Sequence, residues 1–92
     1  MKNIHQTIER LYGDRDRDRD LYKNIAWLTE ELGELVQAIR KGSREEEEEE
    51  FADVLAWLVS LANVREVDLE HVFYRKYGEE CVKCGHSPCK CP

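Results

Sequence analysis

The sequence predicts an all-α protein: a compact bundle of about four helices, completed by dimerisation, with a short Cys-rich C-terminal tail. Three observations carry that prediction. Both prolines, Pro88 and Pro92, lie in the tail, so nothing breaks the chain before it. Apolar residues recur at helical spacing over two long stretches, and strand-like alternation is rare. The third is size: 92 residues make one domain, and a chain this short buries a low fraction of its surface. Such chains commonly gain stability from a metal, a partner copy, or both. The expected division is a helical domain over 1–79 and a Cys-rich tail over 80–92.

The net charge of −6 argues against non-specific binding of a nucleic-acid polymer, which needs a basic face. It leaves nucleotides open, because an acidic site takes phosphate through a metal. No apolar run approaches the ~18 residues that span a membrane. Met1 to Gln6 holds no hydrophobic signal region. The expectation is a cytoplasmic protein with no membrane partner.

The first helix is expected over 2–12, with Ile4, Ile8 and Leu11 on one stripe and Gly13 as its stop. His5 lies beside that stripe, as an exposed or edge histidine. Asp14 to Asp20 alternates Asp and Arg; it reads as a solvated linker or a frayed lead-in to the next helix. Arg15, Arg17 and Arg19 in it are also placed to touch phosphates.

Helix two is expected from Leu21 to Lys41. Leu21, Ile25, Leu28, Leu32, Leu35 and Ile39 form one apolar stripe. Asn24, Trp27, Glu31, Glu34 and Ala38 form a strip along one flank, and Glu30 points further round towards solvent. Gly33 costs about 1 kcal/mol relative to Ala in a helix interior. A close approach by a helix or ligand explains that cost, and so does mere tolerance. Arg40 and Lys41 suit the helix end, with Gly42 just past it.

Ser43 opens helix three in a Ser-x-x-Glu capping box with Glu46. Glu45 to Glu49 read as a solvated face. Phe51, Val54, Leu55, Leu58, Leu61 and Ala62 form the apolar stripe, flanked by Glu50, Asp53, Trp57, Ser60 and Val64. This repeats the layout of helix two: an apolar stripe, then a strip with two carboxylates and a tryptophan. Packed together, two such helices aim Glu31, Glu34, Glu50 and Asp53 into one space. Four carboxylates there raise one another's pKa unless a cation joins them, and oxygen ligands suit Mg²⁺ or Mn²⁺. The competing reading is two surface helices with acidic edges. Asp68 is a good N-cap for helix four, Leu69 to Tyr77, where Arg75 and Lys76 either meet substrate phosphates or pair with glutamates.

In the tail, Cys81-x2-Cys84-Gly85 has the spacing of half a zinc knuckle, and Cys89-x-Cys91 supplies two further thiols. Zn²⁺ held by Cys81, Cys84, Cys89 and Cys91, with His86 as a substitute ligand, is one reading. A disordered thiol tail and a disulfide or redox role are the others.

Leu28-Thr29-Glu30-Glu31-Leu32-Gly33-Glu34-Leu35, with Glu50-Phe51-Ala52-Asp53-Val54-Leu55, resembles the paired motif of the MazG-type all-α nucleoside triphosphate pyrophosphohydrolases. That motif is Glu-Glu-x-x-Glu followed, after a gap, by Glu-x-x-Asp. The resemblance runs from Leu21 to Tyr77 and takes in Leu61-Ala62-Asn63 and Val67-Asp68-Leu69-Glu70.

It implies Mg²⁺- or Mn²⁺-dependent hydrolysis of a (deoxy)nucleoside triphosphate to the monophosphate and pyrophosphate, in housecleaning of non-standard nucleotides. It also implies a four-helix core in a homodimer or dimer of dimers. The metal-binding carboxylates would be Glu31, Glu34, Glu50 and Asp53, with Glu34 or Glu30 as the proton acceptor. Lys76 and Lys23 are the candidates for the outer phosphates. Trp27 and Trp57 either stack on the base or fill the bundle or dimer seam. Glu80 stands where related enzymes carry an asparagine, a departure from the pattern. Two other functions fit less of the pattern: phosphoribosyl-ATP pyrophosphohydrolase, and a non-enzymatic helical dimer whose zinc knuckle binds a partner.

Overall fold

The computed structural model describes residues 3–92. It holds four helices and, among the described residues, no strand: α1 (Ile4–Asp18), α2 (Leu21–Lys41), α3 (Arg44–Val64) and α4 (Leu69–Lys76). The central element is α3, which packs against α2 on one side and α1 on the other. Among the described residues no helix is long and apolar enough to cross a membrane.

The first helix differs from expectation. Lys2, its expected start, lies outside the described residues; Asn3 caps α1, its side chain accepting from the Gln6 N–H at 3.2 Å. Gly13 does not stop it. The helix runs on through the Asp/Arg stretch to Asp18, so that stretch is neither linker nor frayed. Two contacts explain the extension. The Glu9 carboxylate lies across Gly13, where a Cβ would collide with it, and meets the Arg17 guanidinium two turns on. Beyond it, Asp16 is buried against α3, where the Ser60 hydroxyl donates to its carboxylate. A tertiary contact thus overrides weak local propensity.

The α2–α3 hairpin matches the sequence reading. Asp20 caps α2 through the Tyr22 N–H at 2.9 Å. At Gly42 an added Cβ would sit 2.9 Å from the Ala38 carbonyl, which suits glycine to the close turn. Ser43 and Glu46 form the reciprocal capping box, at 3.1 and 3.0 Å. Arg44 pairs with Glu47 and Glu48, so part of the glutamate run is partnered locally. After α3, the Val67 N–H returns to the Ala62 carbonyl at 2.8 Å through a left-handed Glu66 (φ 58°).

His5 is an edge histidine with a structural task. Its Nε2 accepts the Leu69 N–H at 3.0 Å, so the ring proton sits on Nδ1, which faces Asn63 Oδ1 at 2.6 Å. The Asn63 amide donates back to the His5 carbonyl at 3.1 Å. One imidazole thereby joins the start of α1, the end of α3 and the first turn of α4.

Among the described residues the buried apolar side chains are few: Leu35, Val59 and Ala62. The flank strips of α2 and α3 face the seam between these helices. The apolar stripes are divided: Leu35 and Ala62 are buried, but much of the rest is not. Ile25, Leu32, Val36 and Ile39 of α2, with Phe51, Leu55 and Leu58 of α3, are each 40% or more exposed. No residue of α4 is buried.

Candidate functional site

The seam between α2 and α3 holds the candidate site. The i, i+3 spacing of Glu31 and Glu34, and of Glu50 and Asp53, keeps each pair on one helix face. Carboxylate oxygens of Glu31, Glu50 and Asp53 lie within 4.8 Å of one another. Glu31 Oε2 and Glu50 Oε2 are shut off from solvent and have no hydrogen-bond partner. Glu34 stands at the open side of the cluster, in a cleft of about 290 Å³ lined by Trp27, Glu30, Glu31, Glu34 and Trp57.

The electrostatics follow from that crowding. Burial, with Glu34, Asp53 and Glu50 nearby, pushes the Glu31 carboxyl up to about 7. Burial, together with Glu34 and Asp53, raises Glu50 as well. No cation from the chain offsets these charges: the ion pairs among the described residues join Arg17 to Glu9, Arg19 to Asp16, and Arg44 to Glu47 and Glu48. Two buried carboxylate oxygens without a donor, beside two more carboxylates, fit a hard divalent cation held by oxygen.

Trp27 and Trp57 meet edge to face across the seam, with centroids 5.4 Å apart. The Arg19 guanidinium lies 4.8 Å from the Trp27 centroid and 5.4 Å from that of Trp57. It is held by Asp16 at 3.1 Å and Asn24 Oδ1 at 2.9 Å, while the Asn24 amide donates to the Asp16 carbonyl. This network of Asp16, Arg19, Asn24 and Ser60 was invisible as a unit in sequence. Asn24 and Ser60 did stand on the flank strips beside the tryptophans, which was the available signal. Arg19 lay in a stretch expected to be solvated.

The two lysine candidates are not brought to this cleft. Lys23 is an exposed residue of α2. Lys76 lines a separate apolar groove with Ile4, Leu55, Leu58, Phe73 and Tyr77, its ammonium 5.4 Å from the Tyr77 ring centroid. Glu30 is exposed at the cleft's edge, as its position on the helix predicted. In the tail, the sulfurs of Cys81, Cys84, Cys89 and Cys91 converge within 4.8 Å, while His86 supplies none of the cluster's ligand atoms.

A family model described as the MazG nucleotide pyrophosphohydrolase domain matches residues 19–82. The chain belongs to the MazG family. The match begins at Arg19, spans both carboxylate pairs and ends at the first residues of the tail. All of α1 lies outside the matched MazG span, although it supplies the buried Asp16. Among curated proteins, none matches the chain in sequence. The MazG assignment supports a nucleotide pyrophosphohydrolase in general, and the family typically uses a divalent metal.

Proposed function

We propose that the chain hydrolyses a (deoxy)nucleoside triphosphate to its monophosphate and pyrophosphate, with Mg²⁺ or Mn²⁺ as the required cation. Non-standard nucleotides are the proposed substrates and the cytoplasm the proposed site of action. The observation that carries this reading is the pair of solvent-shielded, partnerless oxygens, Glu31 Oε2 and Glu50 Oε2, inside the family's motif.

In this reading Glu31, Glu50 and Asp53 hold the cation, and Glu34 completes the set from the open side. When bound, the cation would supply positive charge to offset the triphosphate and would make a water more acidic for attack at the α-phosphorus. Glu34 or Glu30, both at the cleft's solvent edge, accepts the proton. Trp27 and Trp57 offer an aromatic wall to the base. Arg19 keeps that wall in place and puts a positive charge at the cleft's apolar end. We further propose a homodimer, or a dimer of such dimers, in which the apolar stripes of α2 and α3 cover one another between copies.

The deciding experiment measures turnover on a panel of canonical and modified nucleoside triphosphates and phosphoribosyl-ATP, with Mg²⁺ and with EDTA. Monophosphate plus pyrophosphate, lost with EDTA, is the expected result. Asp53→Ala and Glu50→Gln should then lose more than the roughly 100-fold that losing a mere supporting partner of a ligand costs, with helicity by circular dichroism intact. Near-wild-type turnover in both variants would remove the carboxylates from the reaction. Turnover confined to phosphoribosyl-ATP would keep the site and change the substrate.

A further inference from the structure

The C-terminal segment after α4 takes no part in the carboxylate chemistry, yet it has a defined architecture without a core. Its one bulky aliphatic side chain, Val82, is 53% exposed. What converges there is sulfur.

Cys81 Sγ and Cys91 Sγ lie 3.8 Å apart, and Cys84 Sγ and Cys89 Sγ 4.0 Å apart. A disulfide would hold its sulfurs at about 2.0 Å, and all four cysteines are free. Four thiolates around one Zn²⁺ at about 2.3 Å stand roughly 3.8 Å from one another, the edge of a tetrahedron of that radius. The two pairs, at 3.8 and 4.0 Å, are close to that edge, and all four sulfurs lie within 4.8 Å of one another.

The backbone is also arranged around the sulfurs. The Lys83 N–H points at Cys81 Sγ at 3.4 Å, the Lys90 N–H at Cys84 Sγ at 3.4 Å, and the Cys91 N–H at Cys89 Sγ at 3.3 Å. Donors aimed at sulfur suit a thiolate, the ligand form. The Cys81–Cys84 loop is closed by the Gly85 N–H on the Cys81 carbonyl at 2.9 Å and by the Cys81 N–H on the His86 carbonyl at 3.0 Å. Gly85 has φ +72°, a left-handed conformation that disfavours a side chain. It turns the first pair towards the point that the second pair approaches from further along the chain.

We propose that Cys81, Cys84, Cys89 and Cys91 hold one Zn²⁺ as a closed tetrathiolate site that folds the C-terminal segment. With four protein ligands no coordination position is open to a substrate, so the site is structural. It is separate in ligands and in metal preference from the carboxylate cleft: soft sulfur selects Zn²⁺, hard oxygen Mg²⁺ or Mn²⁺.

The full chain, reduced and stripped of metal, is titrated with Co²⁺ and then Zn²⁺. The expected result is one equivalent of Co²⁺ giving the visible bands and sulfur-to-cobalt charge transfer of a tetrahedral tetrathiolate, bleached by one equivalent of Zn²⁺. Before Zn²⁺, four thiols react with a thiol reagent; afterwards they are protected. Cys84→Ser and Cys89→Ser should each abolish the tetrathiolate spectrum, and Glu31→Gln should leave it unchanged. Because the helices do not depend on the tail's sulfurs, far-ultraviolet circular dichroism should show both serine variants folded. A missing tetrathiolate spectrum with four reactive thiols, bands that survive in both serine variants, or bands lost with Glu31→Gln would each overturn the proposal.

Discussion

Glu31 gathers the cleft's electrostatics into one group. Its carboxyl rises from the ordinary 4.5 to about 7 because it is desolvated beside other carboxylates. The sign of the consequence follows from proton binding. Between those two values the folded, metal-free protein keeps a proton that the unfolded chain has released. The stability that Glu31 contributes is therefore fully present at and below pH 4.5 and is lost as pH rises through 7. The raised Glu50 adds in the same direction. Thermal unfolding in EDTA should show the melting temperature of wild type falling relative to that of Glu31→Gln across that window. At pH 7 excess Mg²⁺ should raise the melting temperature of wild type, since binding to the folded state stabilises it. A difference between the two that does not change with pH would mean that Glu31 is not desolvated. Gly33 gives a second test at this scale. No atom lies within 4 Å of a Cβ built on it, so no part of the same chain explains the glycine. Gly33→Ala should stabilise the protein by about 1 kcal/mol in urea unfolding, the difference in helix propensity. Turnover lost in that stable variant would mean that substrate or a second copy approaches the helix there.

Among the elements, the last turn of α1 shows how a long-range contact rewrites a local pattern. Alternating Asp and Arg has no preference strong enough to declare a helix, and the like charges at i, i+4 oppose one. Asp16 nonetheless ends up buried, with Ser60 and Arg19 as partners 44 and three residues away in sequence. Asp16→Ala should leave Arg19 and Ser60 without their shared acceptor and cost about 2–3 kcal/mol by chemical denaturation. That is slightly less than a fully buried pair would lose, because Arg19 keeps some solvent contact. If Arg19 steadies the two tryptophans, near-ultraviolet dichroism should change as well. A loss under ~0.5 kcal/mol would make the network incidental. The α2–α3 hairpin is the opposite case. Its caps, its turn glycine and its flank strips were all readable, because each rests on residues close in sequence.

For the whole molecule, surface area is the informative quantity. A folded monomer of 10.9 kDa is expected to expose about 5,600 Å², whereas this chain exposes 7447 Å². The radius of gyration, 15.8 Å, likewise exceeds the roughly 12 Å of a sphere-like domain of this length. Apolar side chains contribute to that surface, with Leu32 51%, Ile39 52% and Phe51 53% exposed along the stripes of α2 and α3. A second copy laid on those stripes would bury them. Analytical ultracentrifugation should find wild type dimeric or tetrameric, and Leu32→Glu or Phe51→Glu should lower the mass to a monomer with a reduced melting temperature. A monomeric wild type at micromolar concentration would remove the dimer from the account.

By itself the sequence determined the helical class, α2 and its boundaries, the start of α3 and the two carboxylate pairs. Periodicity, caps and i, i+3 spacing are local properties that survive without a fold. It also carried the family motif, since those residues lie on two adjacent helices. Only the tertiary structure decided which face turns inward. The carboxylate and tryptophan flanks occupy the α2–α3 seam, and much of the apolar stripes looks outward, with Leu35 and Ala62 buried. Only it brought Asp16 and Arg19 to the tryptophans and kept Lys76 in a different groove. The orientation of one helix against another is set by the sum of contacts along both, and no stretch of chain contains that sum.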